Sequence, residues 1–147
     1  MKIALGCDHA GYELSERVEE RLISLGHTVT RFGALSEERY DYPRASDGVA
    51  CSLLDGSQEM GVLICGSGIG VSIRANRYDG VRAALCHSVE TAELARQHNH
   101  ANVLCLGARI LSTELALAIL ESFLSTEVDS GERHVNRVEL LDGNKPC

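Results

Sequence analysis

The sequence predicts an α/β fold: a parallel sheet of five strands with helices on both faces. Three observations predict it. Five short apolar runs recur along the chain, and each pair is separated by far more residues than a hairpin turn needs. The stretches between them carry apolar residues at helical spacing. The runs themselves are nearly continuous rather than alternating, as expected for strands covered on both faces. With 147 residues, 44% of them apolar, the chain fits one domain, residues 1–147, long enough to bury a core without disulfides or metal.

Lys2–Gly6 opens the series as the first strand. Leu14, Val18, Leu22 and Leu25 then step by four, four and three along one helix face, and Gly26 stands where a C′ glycine closes a helix. Thr28–Phe32 is brief and β-branched, a second strand. Tyr42-Pro43 starts a helix with proline in its first turn; Val49 and Leu53 repeat at helical spacing, and Gly56 ends it. Met60–Cys65 is the third strand, followed by Gly66-Ser67-Gly68-Ile69-Gly70 and a helix to about Asn76. Val81–Cys86 is the fourth strand, with Ser88 as N-cap and Glu90 in the first turn of the next helix. Val103–Leu106 is the fifth, and Ser112 caps a helix presenting Leu115, Ala118, Ile119 and Phe123. Residues 129–147 form a C-terminal extension. Within it a short helix from Gly131 to Leu141 sets Arg133 and Arg137 four apart and turns Val138 and Leu141 toward a partner surface.

Composition removes several function classes. A net charge of −7 argues against a general nucleic-acid binder, and four Tyr, two Phe and no Trp leave no stacking platform for bases. No apolar run reaches the roughly 18 residues of a membrane span, and the N-terminus turns polar too early for a signal peptide. The six cysteines, at 7, 51, 65, 86, 105 and 147, show no Cys-x-x-Cys pair, and a reduced, cytoplasmic setting is expected. Cys51, Cys86 and Cys105 read as small core hydrophobes.

In open parallel sheets ligands bind beyond the carboxyl ends of the strands, which selects the loops 7–11, 65–70, 86–88 and 107–109. The strongest local signal is Cys65-Gly66-Ser67-Gly68-Ile69-Gly70. Alternating glycines let several N–H groups converge on one cavity, and the following helix adds its positive end, so the loop suits an anion or a developing oxyanion. The same field favours thiolate at Cys65, against a free-cysteine pKa of about 8.5. A tight turn beside a buried cysteine is the plainer alternative. The third glycine comes one residue early for a dinucleotide fingerprint, and the P-loop lysine is missing. Asp8-His9 offers an acid and an imidazole at a strand end, or simply an N-cap beside a solvated ring. Arg96-Gln97-His98-Asn99-His100 offers a proton carrier and an amide, or an exposed polar turn; no third ligand spacing supports a metal there. Arg109 follows the fifth strand, and Arg133 and Arg137 share a helix face as a phosphate clamp would, or as a solvated pair.

Together Gly6-Cys7-Asp8-His9-Ala10-Gly11, Asp41-Tyr42-Pro43, the Cys65–Gly70 loop, Arg96-Gln97-His98-Asn99, Gly107-Ala108-Arg109 and Arg133…Arg137 resemble the ribose/galactose isomerase family. That family holds the type B ribose-5-phosphate isomerases and hexose-6-phosphate isomerases. The resemblance runs in family order over nearly the whole chain. It implies a Rossmann-like three-layer α/β/α fold and an aldose–ketose isomerase of a phosphosugar without metal or cofactor. It also implies a homodimer, or dimer of dimers, with sites shared between subunits. On the matched positions Cys65 is the base, the Gly66–Gly70 loop with Ser67 and Ile69 holds the enediolate, His98 opens the sugar ring, and Asp8 handles hydroxyl protons. His9, Arg109, Arg133 and Arg137 grip phosphate, and Asn99 and Tyr42 contact sugar. Some members use a glutamate just after the glycine loop as base; here Val71-Ser72 follow, which fits the cysteine subclass. Arg74, Arg77 and His100 depart from the family pattern. The expected reaction is ribose 5-phosphate to ribulose 5-phosphate. A six- or four-carbon sugar phosphate, or a non-catalytic sugar-phosphate-binding module, is the alternative.

Overall fold

A computed structural model describes residues 1–143; the last part of the extension, with Cys147, lies outside the described residues. The elements follow in the order β1 Lys2–Cys7, a 3-10 turn His9–Gly11, α1 Tyr12–Ser24, β2 Thr28–Gly33, α2 Tyr42–Leu54, β3 Met60–Cys65, α3 Ile69–Ala75, β4 Ala83–Leu85, α4 Val89–Asn99, β5 Val103–Gly107, α5 Thr113–Ser125 and α6 Glu132–Asp142. All strand pairs are parallel and the sheet order is β2-β1-β3-β5-β4. The expected α/β fold with a five-stranded parallel sheet is the one observed.

Strand alternation divides the core into two layers. Val62, Ile64, Leu104 and Leu106 face α1, α4 and α5, where Leu14, Val18, Ala92, Ile119 and Phe123 meet them. Leu63, Cys65, Val103 and Cys105 face α2 and α3 through Val49, Ala50, Val71 and Ala75. Each fully buried Leu, Ile or Phe contributes about 1.5–3 kcal/mol, so these layers fix the sheet against which the site is built.

Most local signals act as read. Gly26 and Gly56 close α1 and α2 at φ +82° and +75°, and Pro43 lies in the first turn of α2. The Ser88 and Ser112 hydroxyls accept the N–H groups of Thr91 and Leu115. Four expectations need correction. The fourth strand is shorter than 81–86, because the Val81 N–H turns back to the Tyr78 carbonyl and the Arg82 N–H goes to the Asn102 side chain. On α5 the buried face is Ala116, Ile119, Leu120 and Phe123, while Leu115 and Ala118 are exposed. Leu25 falls past the end of α1 and is exposed. Cys51 is exposed, since α2 buries Ala45, Ser46, Val49, Ala50 and Ser52 and places position 51 outside.

Candidate active site

The carboxyl ends of β1, β3 and β5 lie side by side, with Cys7 opposite Ile64 and Cys65 opposite Gly107. Cys65 is buried at this edge, and its Sγ accepts the Gly68 N–H at 3.1 Å. Gly68 is at φ +76°, and a Cβ there would stand 2.5 Å from Leu85 Cδ1 and 2.9 Å from the Leu106 carbonyl carbon. Only glycine lets the loop turn its amide onto the sulfur. Ser67 Oγ accepts the Ile69 N–H at 3.3 Å, and Ile69 itself is exposed.

Three neighbours wall the loop. The Tyr42 ring packs against Gly70, where a Cβ would be 2.6 Å from Cζ. The Ala108 and Arg109 N–H groups donate to the Cys65 and Gly66 carbonyls, each at 2.9 Å, which sets the Arg109 side chain against Gly66. Asp8 is buried beside them; its N–H donates to the Ile64 carbonyl at 3.2 Å and its Oδ1 accepts the Gly11 N–H at 3.0 Å. Asp8 is thus an N-cap as well as a carboxylate at the strand edge. His9 Nδ1 lies 3.2 Å from the carbonyl and 3.3 Å from the amide nitrogen of Tyr40, which holds the ring at this edge.

The other candidates lie elsewhere. Helix α4 returns antiparallel to the strands, so His98 and Asn99 at its end sit by the amino end of β5, and α6 packs on α4. From Val103 to Gly107 the strand alone rises about 13 Å. Within one chain His98, Asn99, Arg133 and Arg137 are therefore on the edge opposite Cys65. Here the rings of His98 and His134 stack at 4.4 Å with planes 7° apart. His134 is buried, and its Nε2 is 3.1 Å from Arg133 Nη2 and 3.5 Å from Asp129 Oδ2. Burial, helped by the neighbouring His98 and Arg133, holds the His134 imidazole below its ordinary range. Asp129 anchors α6: its N–H donates to the Gln97 carbonyl at 3.1 Å, its carbonyl accepts from His100 Nε2 at 2.9 Å, and its carboxylate accepts the Gly131 N–H at 2.7 Å. That last bond leads the causes keeping the Asp129 carboxyl acidic. Asn99 lines a cleft of about 650 Å³ with Arg82, Asn76 and Asp142. Arg133 and Arg137 are exposed on α6.

The departures at Arg74 and His100 have structural explanations. Arg74 Nε donates to Asp47 Oδ1 at 2.6 Å, and the Tyr78 hydroxyl donates to the same oxygen at 2.8 Å. His100 adopts φ +49° at the end of α4 and holds the Asp129 carbonyl. Burial pushes the Cys86 thiol up to about 11 and Cys105 well above the ordinary thiol range, in keeping with packing roles. Sequence reasoning passed over His134 and Tyr40. His134 carried a signal, a histidine between two arginines on a short amphipathic helix; Tyr40 acts through its backbone and carried none.

The sequence profile of the Ribose/Galactose Isomerase family matches residues 3–141. A ribose-5-phosphate isomerase B of Escherichia coli is 42% identical over 140 residues, covering 95% of this chain and 93% of the relative. The solved ribose 5-phosphate isomerase of Thermotoga maritima superposes with a TM-score of 0.93 at 47% identity, covering 96% of this chain and 97% of that one. The type B ribose 5-phosphate isomerase of Trypanosoma brucei gives a TM-score of 0.93 at 40% identity, with 96% of each chain covered.

Proposed function

Because the chain belongs to the ribose/galactose isomerase family, we propose that it interconverts D-ribose 5-phosphate and D-ribulose 5-phosphate through an enediolate. The observation that carries this reading is Cys65: a buried thiol at a strand end, with a glycine-loop amide aimed at its sulfur. A loop that only binds a phosphosugar has no use for a thiol there.

The assignment of roles follows the chemistry. His98 moves a proton between the anomeric hydroxyl and the ring oxygen and opens the furanose. Cys65, as thiolate, takes the proton from C2 and returns it to C1. The Gly66–Gly70 loop stabilises the oxygen on which charge develops through its Gly66, Ser67 and Gly70 amides, the Gly68 and Ile69 N–H groups being held by Cys65 Sγ and Ser67 Oγ; one well-placed donor contributes about 3–4 kcal/mol. Ser67 Oγ accepts from Ile69 and so keeps its own proton to donate to a sugar oxygen. Asp8 relays the hydroxyl proton between O2 and O1. His9, Arg109, Arg133 and Arg137 hold the phosphate, whose binding orients the reacting carbons. Asn99 and Tyr42 contact sugar hydroxyls. Only protons move, so the step itself calls for no redox cofactor.

The two groups of residues on opposite sheet edges cannot both reach one pentose phosphate within one chain. A homodimer, alone or as a dimer of dimers, joins the carboxyl edge of one subunit to the α4–α6 edge of the other, with the C-terminal helix at the junction. The cysteines that are free among the described residues fit a cytoplasmic enzyme.

A discontinuous isomerisation assay offering ribose 5-phosphate, allose 6-phosphate, galactose 6-phosphate and erythrose 4-phosphate side by side tests the proposal. Preference for ribose 5-phosphate is expected. Preference for another sugar keeps the mechanism and moves the substrate. Binding without turnover on all four overturns the enzyme reading.

A further inference from the structure

We infer that His134 is the positioning residue of the amino-edge half-site, using its ring face to set His98 and its Nε2 to set Arg133. The inference rests on the isomerase reading above for what His98 and Arg133 do, and on geometry alone for what His134 does to them. His134 is only 4% exposed, although it lies on a short helix whose other polar residues face solvent. Its ring is parallel to that of His98, at 4.4 Å and 7°, so it restricts His98 to rotamers that keep the imidazole flat against it. An arginine can only donate, so the 3.1 Å contact from Arg133 Nη2, closer than the Asp129 carboxylate at 3.5 Å from the same nitrogen, makes Nε2 the acceptor and leaves the ring proton on Nδ1. Nδ1 is buried with no partner among the described residues. A buried polar atom left unsatisfied is costly, and such atoms in native structures call for an explanation. Here the explanation is the tautomer that the Arg133 contact requires. Arg133 is thereby held by one nitrogen while its remaining N–H groups stay available to an anion. Holding the side chain in advance removes part of the ordering cost of gripping phosphate.

The two functions of the ring separate by substitution. His134→Phe keeps a flat ring on His98 and removes the acceptor for Arg133. His134→Gln keeps an acceptor near the Nε2 position and removes the stack. In the full chain, His134→Phe is expected to raise KM for ribose 5-phosphate about tenfold with kcat within about twofold, the scale of one lost charge-assisted hydrogen bond. His134→Gln is expected to lower kcat by about tenfold and leave KM near wild type, the scale of a misplaced proton carrier. Two readouts stand without turnover. Calorimetric affinity for inorganic phosphate should fall in His134→Phe alone, and the ring-current shift of the His98 protons should vanish in His134→Gln alone. A purely structural role predicts that both variants lose thermal stability and shift KM and kcat together; that pattern, or no change in either variant, overturns the inference. Failure of the isomerase reading looks different. Wild type then fails to turn over ribose 5-phosphate, while the phosphate and resonance measurements still decide the role of His134.

Discussion

A group that removes a proton from carbon has to be held still, and Cys65, the proposed base, is held by its strand, by the Gly68 amide on its sulfur and by the Ala108 N–H on its carbonyl. Cys65→Ala removes the thiol while leaving the backbone contacts in place. Turnover should fall by about 10²–10⁴, the range for loss of a positioned acid or base, with the melting temperature nearly unchanged; retained turnover would dismiss Cys65 as base. Its place was readable because a cysteine between an apolar run and three alternating glycines can only end a strand. Cys51 was not readable: its burial depends on which face α2 turns inward, and a helix rich in Ala, Ser and Gly gives a weak stripe. His134 carries a pH prediction. Native His134 is depressed below the ordinary imidazole value of 6.5, since burial and the facing His98, Arg133 and Arg137 outweigh Asp129. The unfolded chain therefore binds a proton that the native ring refuses, and stability is lost as pH falls below about 6.5. The urea midpoint should drop more between pH 7.5 and 5.5 in wild type than in His134→Phe. Equal drops would refute the assignment.

Helix α4 carries its signals at both ends. At its start Ser88 and Thr91 exchange hydrogen bonds in a reciprocal cap, with Glu90 in the first turn. Ser88→Ala should cost about 1 kcal/mol in denaturant unfolding, the usual worth of an N-cap hydroxyl, and leave KM unchanged because the cap lies at the end of the helix away from His98. A loss below a few tenths would show that the Thr91 hydroxyl alone suffices. At its other end the direction of the helix carries functional meaning. Every helix that links two parallel strands runs back against them, so residues just before a strand belong to the amino edge. His98-Asn99 before Val103 was legible in that sense from the sequence. What spacing could not give was the docking of α6, which depends on backbone bonds from Asp129 to Gln97 and on the His100 side chain rather than on a hydrophobic stripe. The shortened β4 has a similar origin: an edge strand paired with β5 alone among the described residues loses Val81 to a turn bond at Tyr78 and the Arg82 N–H to the Asn102 side chain.

At the scale of the whole molecule, the separation of the two edges becomes a statement about assembly. If one catalytic centre combines Cys65 of one subunit with His98 of another, a variant lacking either group is inactive for a different half of the site. Cys65→Ala and His98→Asn homodimers should each be nearly inactive. After mixing, unfolding and refolding in equal amounts, half of the dimers should be mixed. Under two-fold symmetry each mixed dimer holds one centre with both groups intact and one with neither, so activity should recover to about one quarter of wild type. A centre built within one chain gives no recovery at any mixing ratio, because every chain then carries a defect in its own site. The same refolding mixture also separates a structural interface from a shared one. A dimer seen by light scattering with no recovered activity would leave the C-terminal helix as a packing element, whereas recovery near one quarter ties His98 to the opposite subunit's Cys65 through a common substrate.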